Sequence, residues 1–209
     1  MEAYLGTVLI RFAHIFFGVL WIGILYYFNF VQTEYFKESE ASAKADVVQK
    51  LVPNALWYFR WAAAFTFITG LYLLYFLSIT VNVGILLGAL MGTIMAANVW
   101  FIIWPNQKKV IAGAPDAADA GAKAGLASRT NTLFSIPMLY LMVYSAHGGG
   151  LPLIAETSLT GLWVGLALIV AVELNAVVGK MNPAIASVKA VIHSGVVLAL
   201  VFGALVHYL

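Results

Sequence analysis

The sequence contains no cysteine, and only 10% of its 209 residues are charged. The absence of cysteine excludes disulfides, cysteine-ligated zinc, iron–sulfur clusters and the thioether attachment of a c-type haem. Any metal chemistry in this protein must therefore use histidine, of which the sequence has four residues.

The scarcity of charge excludes an ordinary soluble protein. Hydrophobic residues make up 63% of the sequence, and the mean hydropathy is +0.94, as expected for an integral membrane protein. The longest hydrophilic stretch has about 27 residues, too few for a separate catalytic domain. We therefore expect one integral membrane domain over residues 1–209, with the lipid bilayer as its surroundings and no nucleic-acid partner.

Long apolar segments indicate an all-α fold, a polytopic transmembrane helix bundle with about six spans. A hydrocarbon core of about 30 Å needs about 20 apolar residues per helix. The predicted spans are residues 4–30, 53–77, 81–104, 132–146, 158–178 and 183–208, of which the fourth is the shortest.

Basic residues predict the orientation of this bundle. They lie in three of the connections between spans: Lys37, Lys44 and Lys50; Lys108, Lys109, Lys123 and Arg129; and Lys180, with Lys189 just beyond it. The connections between spans two and three and between spans four and five contain no Lys or Arg. Because basic loops stay in the cytoplasm, both termini are predicted to face outward.

The two long connections differ in composition. Residues 39–51 are rich in Ala, Ser, Lys and Glu and favour a surface helix. Residues 112–128 consist largely of small residues and predict a flexible connector, with Asp116 as a possible helix cap.

The first span carries two ionisable residues, Arg11 and His14, one helical turn apart and therefore on the same face. Ionisable residues inside a span normally face a partner, a cofactor or water. His14 is a candidate axial ligand of a b-type haem, and Arg11 is placed to pair with a haem propionate. The alternative is an imidazole that donates a hydrogen bond to a carbonyl of a neighbouring helix.

A second axial ligand would have to lie at a similar depth on a facing helix. By the predicted topology, His147 and His207 lie toward the outer side with His14, so both are candidate haem and metal ligands. Each also sits where polar residues are common, at the end of a span or of the chain. His193 is on the cytoplasmic side and is expected to be structural.

Three further features lie within the spans. Glu173 is either a hydrogen-bonded core residue or part of a proton path, and Asn98 is expected to hydrogen-bond between helices. A ridge of Gly84, Gly88 and Gly92 favours close packing of another helix over space for a flat macrocycle.

Several stretches resemble the N-terminal membrane domain of the membrane-bound bacterial urate oxidase, or urate hydroxylase, family. They are RFAHIFFGVLWIGILYYF in span one, AANVWFIIWPNQKKVIAG in span three, SRTNTLFSIPMLYLMVYSAH in span four and the ending ALVFGALVHYL. The pattern of His14, Trp21 and Gly23 is also similar to the first helix of the membrane-bound, haem-containing protoporphyrinogen oxidase. Copper-resistance protein D is a more distant likeness.

The resemblance implies a redox role in the bacterial inner (cytoplasmic) membrane. Longer members carry a C-terminal c-type cytochrome, which this sequence lacks. The first hypothesis is therefore a membrane protein with one haem b that passes electrons to a separate cytochrome c or respiratory complex. If it is an enzyme, we expect an oxidoreductase like urate oxidase or protoporphyrinogen oxidase. The alternative is a cofactor-free accessory or structural subunit of a larger membrane oxidase.

Overall fold

The computed structural model describes residues 5–148, 150–156 and 158–209, and all regular elements in this part of the chain are helical. The α-helices are α1 (Ile10–Tyr26), α2 (Thr33–Glu38), α3 (Ala41–Lys50), α4 (Val52–Leu77), α5 (Val83–Ala97), α6 (Trp104–Ile111), α7 (Ala117–His147), α8 (Thr160–Val178) and α9 (Val188–Tyr208). The predicted all-α bundle is confirmed.

Short non-α turns join some of these helices. Segments of π-helix cover Leu5–Leu9, Tyr27–Gln32 and Asn98–Ile103, so α1 runs on into α2 and α5 runs on into α6. Turns of 3-10 helix cover Ser78–Thr80 and Leu153–Ala155. Single π-helical turns inside α-helices are rare and often accompany functional sites.

Five helices in the described residues are long and apolar enough to cross a membrane. They are Ile10–Glu38, Val52–Phe76, Val83–Ile111, Thr160–Val178 and Val188–Tyr208. Large apolar side chains on their outer faces are exposed, as expected for surfaces in contact with lipid: Phe12 is 65% exposed and Phe101 is 80% exposed. The chain is therefore a membrane protein by the length, composition and surface of its helices.

The starts of the first and last spans differ from the prediction or lie outside the described residues. The predicted first residue of span one, Tyr4, lies outside the described residues. The last helix begins at Val188, not at Pro183 as predicted, because the Ser187 side chain accepts a hydrogen bond from the Ala190 N–H (3.1 Å) and caps the helix there.

The fourth predicted span is part of α7, a helix of 31 residues that is less apolar than the five above. Helix α7 packs against α5, α6 and α9 and buries polar side chains among them: Arg129, Thr130, Asn131, Thr132 and Ser135. Since neighbouring helices bury the middle of α7, residues 124–138, the composition of that part does not have to match lipid. Sequence reasoning was wrong about residues 117–128, which form the first turns of this helix and not a flexible connector.

The glycine ridge of α5 packs against α7. A Cβ atom added at Gly88 would lie 3.4 Å from Leu141 Cβ, and one added at Gly92 would lie 3.4 Å from Met138 Sδ. The packing interpretation of this ridge is confirmed, because α7 fills the space that a macrocycle would need.

Contacts between connections define the two ends of the bundle. At one end Gln49 Nε2 donates to the Ile111 carbonyl (2.8 Å), which joins α3 to the end of α6. At the other end the Leu153 N–H donates to the Val81 carbonyl (2.7 Å). Residues 39–51 contain the surface helix α3, as predicted.

Candidate functional site

His14 lies on α1 at the interface with α4 and is half-buried. Its Nδ1 is 2.9 Å from the Thr66 carbonyl oxygen and 3.1 Å from Thr69 Oγ1. Gly70 makes room for the ring, because a Cβ atom at that position would lie 3.0 Å from His14 Cε1. One turn of α4 therefore holds the imidazole by two polar contacts and one close approach.

The hydrogen bond to Thr66 fixes the tautomer of His14. A carbonyl oxygen can only accept, so Nδ1 must carry the proton, and the lone pair of a neutral ring is then on Nε2. In the described part of the chain, Nε2 has no hydrogen-bond partner. An imidazole that donates from one nitrogen to a carbonyl and presents the other is the usual arrangement of a histidine metal ligand.

Arg11 lies one turn nearer to the start of α1 and is exposed. None of the ion pairs among the described residues includes it. Its guanidinium is therefore available to a group outside the chain.

His147 and His207 lie at the ends of α7 and α9, and both are exposed. His207 Nδ1 is 3.3 Å from Tyr144 Oη, which joins the two helix ends. His14 lies deeper: it is eight residues, or about two helical turns, beyond Gly6, which packs against Phe76 at this end of the bundle. The polar contacts of His14 are to α4, whereas that of His207 is to α7.

His193 is exposed and lines a groove of about 360 Å³ with residues of α7, α8 and α9. The part of the chain that the structure describes contains no group of three or more His, Cys, Asp or Glu side chains that could hold a metal ion. A haem, unlike a tetrahedral metal site, needs only one or two protein ligands.

A second polar site joins Asn98, Asn131 and Glu173, which lie on three different elements. Asn98 Nδ2 donates to Asn131 Oδ1 (3.0 Å) and to Glu173 Oε2 (3.2 Å), and Asn131 Nδ2 donates to the Met95 carbonyl (2.9 Å). Asn98 and Asn131 are 3% and 0% exposed, and Glu173 is half-buried. Asn98 is thus an inter-helix hydrogen-bonding residue, as predicted, and Glu173 accepts a hydrogen bond within the bundle.

Sequence reasoning missed Asn131, although a signal was present. Asn131 stands between Thr130 and Thr132 directly before the apolar part of the fourth span. The predicted connector ends at residue 128 and the predicted span begins at Thr132, so Asn131 fell between the two and was given no role. These three polar residues pack well in the interior of a bundle, where each finds a hydrogen-bond partner from another turn or helix.

Comparison with known proteins finds one family. A family model described as urate oxidase N-terminal matches residues 81–206, which is more than half of the chain. No curated protein and no solved structure matches the chain. The matched segment contains Asn98, Asn131, His147 and Glu173, whereas Arg11 and His14 precede it and His207 follows it. The chain therefore belongs to the urate oxidase N-terminal family.

Proposed function

We propose that this protein is a membrane redox protein that binds one haem b, with His14 as an axial ligand, and passes electrons to a separate cytochrome c or respiratory complex. The observation that supports this best is the orientation of His14. Its Nδ1 is bound to the Thr66 carbonyl and the Thr69 hydroxyl, which leaves Nε2 for iron.

Two features of the residues around His14 support the proposal. The imidazole has a fixed tautomer, so it does not have to reorganise on binding. Arg11, one turn nearer to the start of α1, has no ion-pair partner among the described residues and would pair with a propionate. Bound there, the haem would supply one-electron chemistry that no side chain of this chain provides.

His147 and His207 are the candidates for a second axial ligand. Neither makes a polar contact with His14, and both lie nearer to the end of the bundle. Haem iron in proteins has either one or two axial protein ligands. We therefore propose His14 as an axial ligand whether the iron has one protein ligand or two. The spectrum of the reduced protein will distinguish one ligand from two.

The test is the absorbance spectrum of protein purified in detergent from cells supplied with a haem precursor. We expect a Soret band, about one haem per chain by pyridine haemochrome, and sharp visible bands on reduction if two axial ligands are present. Alanine variants of His147 and His207 should convert such a spectrum to that of five-coordinate haem if either residue is the second ligand. A colourless, folded protein would contradict the proposal.

The second candidate function is a cofactor-free accessory subunit of a larger membrane oxidase. The same contact supports it, because donation from His14 to the Thr66 carbonyl is a sufficient structural role for an imidazole between two helices. In that case the purified protein has no Soret band, and the His14→Asn variant, which retains a hydrogen-bond donor, remains as stable as the parent.

A further inference from the structure

A groove of about 430 Å³ lies between the first turns of α4 and helix α6, on the side of the bundle opposite to Val81 and Leu153. Its walls include Trp57 and Arg60 from α4 and Trp104 and Lys108 from α6. The groove thus combines two cations with two indole rings and is separate from the surroundings of His14.

Both cations lie against one ring. Arg60 Cζ is 4.3 Å and Lys108 Nζ is 4.2 Å from the centroid of the Trp104 ring. The ion pairs among the described residues are Glu34 with Lys37, Asp46 with Lys50, and Asp116 with Lys109, so neither cation of the groove has a carboxylate partner. The walls of the groove contain no acidic residue, so two positive charges lie close together with no opposite charge beside them.

The guanidinium of Arg60 also has unused hydrogen-bonding capacity. Its Nε is buried and has no hydrogen-bond partner, and a buried donor without an acceptor is destabilising. The backbone of Arg60 is fixed, because Trp100 Nε1, in the π-helical turn before α6, donates to the Arg60 carbonyl (3.1 Å). An anion in the groove would provide an acceptor for the Arg60 side chain and offset the repulsion between the cations.

The position of the groove indicates the source of the anion. Tryptophan and lysine are enriched where spans leave the hydrocarbon core, and basic pockets between helices at that level bind anionic head groups. Pro53 lies in the first turn of α4, and Lys108 lies in the last turn of α6. Trp57 is 50% exposed and Trp61 is 37% exposed, so apolar surface continues from the groove along α4.

We propose that this groove binds the phosphate of an anionic glycerophospholipid, with Arg60 and Lys108 as its ligands and the acyl chains lying along Trp57 and Trp61. The phosphate oxygens accept hydrogen bonds from the guanidinium and the ammonium group. The indole rings at the interface pack against the glycerol and the first methylene groups of the acyl chains.

The experiment compares three probes on the purified full chain in neutral detergent: phosphatidylglycerol, phosphatidylcholine and inorganic phosphate. Lipid retention by native mass spectrometry and the thermal unfolding temperature are measured for the parent, Arg60→Gln, Lys108→Gln and Lys109→Gln. Lys109 is the matched control, because it is adjacent in sequence but does not line the groove and is paired with Asp116 (2.6 Å). That hydrogen bond lowers the pKa of the Asp116 carboxyl, as expected for a carboxylate engaged with Lys109.

We expect the parent and Lys109→Gln to retain phosphatidylglycerol in preference to phosphatidylcholine. Loss of either groove cation should weaken that preference about fivefold. Equal retention of both lipids by the parent would overturn the proposal, as would an undiminished preference in Arg60→Gln and Lys108→Gln. Stabilisation by inorganic phosphate equal to that by phosphatidylglycerol would assign the groove to a soluble anion and overturn the lipid assignment.

Discussion

At the scale of single residues, the sequence left two interpretations of His14 open: a haem ligand and a structural hydrogen bond to a neighbouring helix. Each interpretation concerns one nitrogen of the ring. Nδ1 makes the contact of a structural histidine, since it donates to the Thr66 carbonyl on the neighbouring helix. The same bond leaves Nε2 in the form that binds iron. A structural contact therefore does not argue against a ligand, and a measurement must separate the two.

The close approach of Gly70 to His14 gives a test of ring position. A methyl group at Gly70 would lie 3.0 Å from His14 Cε1, so Gly70→Ala should displace the imidazole and lower the haem content of the purified protein. The helix itself should gain about 0.5–1 kcal/mol from the replacement of glycine. Gly23→Ala is the control, because no atom lies within 4 Å of a Cβ at that position. Equal haem contents in the two variants would show that haem binding does not depend on this ring position.

Arg11 provides a second test at this scale. If its guanidinium pairs with a propionate, Arg11→Gln should leave the haem bound but lower the reduction potential by about 20–60 mV, because the removed cation favours the reduced state. If Arg11 only reaches the outer head groups, neither the haem content nor the potential should change. Redox titration of the variant beside the parent distinguishes these results.

At the scale of elements, the sequence predicted the lipid-facing helices well and the central helix poorly. Five spans were evident because lipid requires apolar surface, and hydropathy measures that requirement directly. The middle of helix α7 faces other helices and contains polar residues, including Arg129 at 5% exposure. Hydropathy therefore placed the start of this helix too late in the sequence. The sequence predicted a hydrogen bond from His14 to a neighbouring helix only as an alternative to haem binding. It could not identify that helix as α4, because hydropathy does not determine which helices pack together.

The polar cluster of Asn98, Asn131 and Glu173 should stabilise the packing of α7 and α8 around the π-helical turn. Asn131→Leu removes the bonds to Asn98 and to the Met95 carbonyl and should lower the free energy of unfolding by about 1–2 kcal/mol. Thr93→Val is the control, since the exposed Thr93 hydroxyl bonds only to the Ala89 carbonyl of its own helix. Unfolding in a denaturing detergent, followed by circular dichroism, measures both. A loss in Asn131→Leu no larger than in the control would mean that the cluster contributes nothing to stability.

At the scale of the whole molecule, the bundle has one end rich in basic residues. The hydrogen bond between Gln49 and Ile111 brings α3 next to the end of α6. The lysines of α3 and those of α6 therefore lie at the same end of the bundle. The connections at 78–82 and 150–155 meet at the opposite end through Leu153 and Val81 and contain no Lys or Arg. Two of the three basic connections are therefore grouped at one end, and the orientation of these ends in the membrane stays a prediction.

Cysteine labelling tests that orientation cleanly, because the chain has no cysteine of its own. In intact cells an impermeant maleimide should label Ala155→Cys but not Ala112→Cys, and lysis should expose the second variant. Both positions are exposed, so accessibility within the protein does not differ between them. The reverse pattern of labelling would invert the topology and place His14 toward the cytoplasmic side.

The most direct test of the central claim is the ratio of haem to protein in His14→Ala, with His193→Ala as the matched control. His193 suits as a control because it is exposed, lines the groove of α7, α8 and α9, and is not a candidate haem ligand. We predict that His14→Ala inserts and purifies normally but retains almost no haem, while His193→Ala retains the full amount of the parent. Full haem content in His14→Ala, or equal loss in both variants, would contradict the assignment of His14 as an axial ligand.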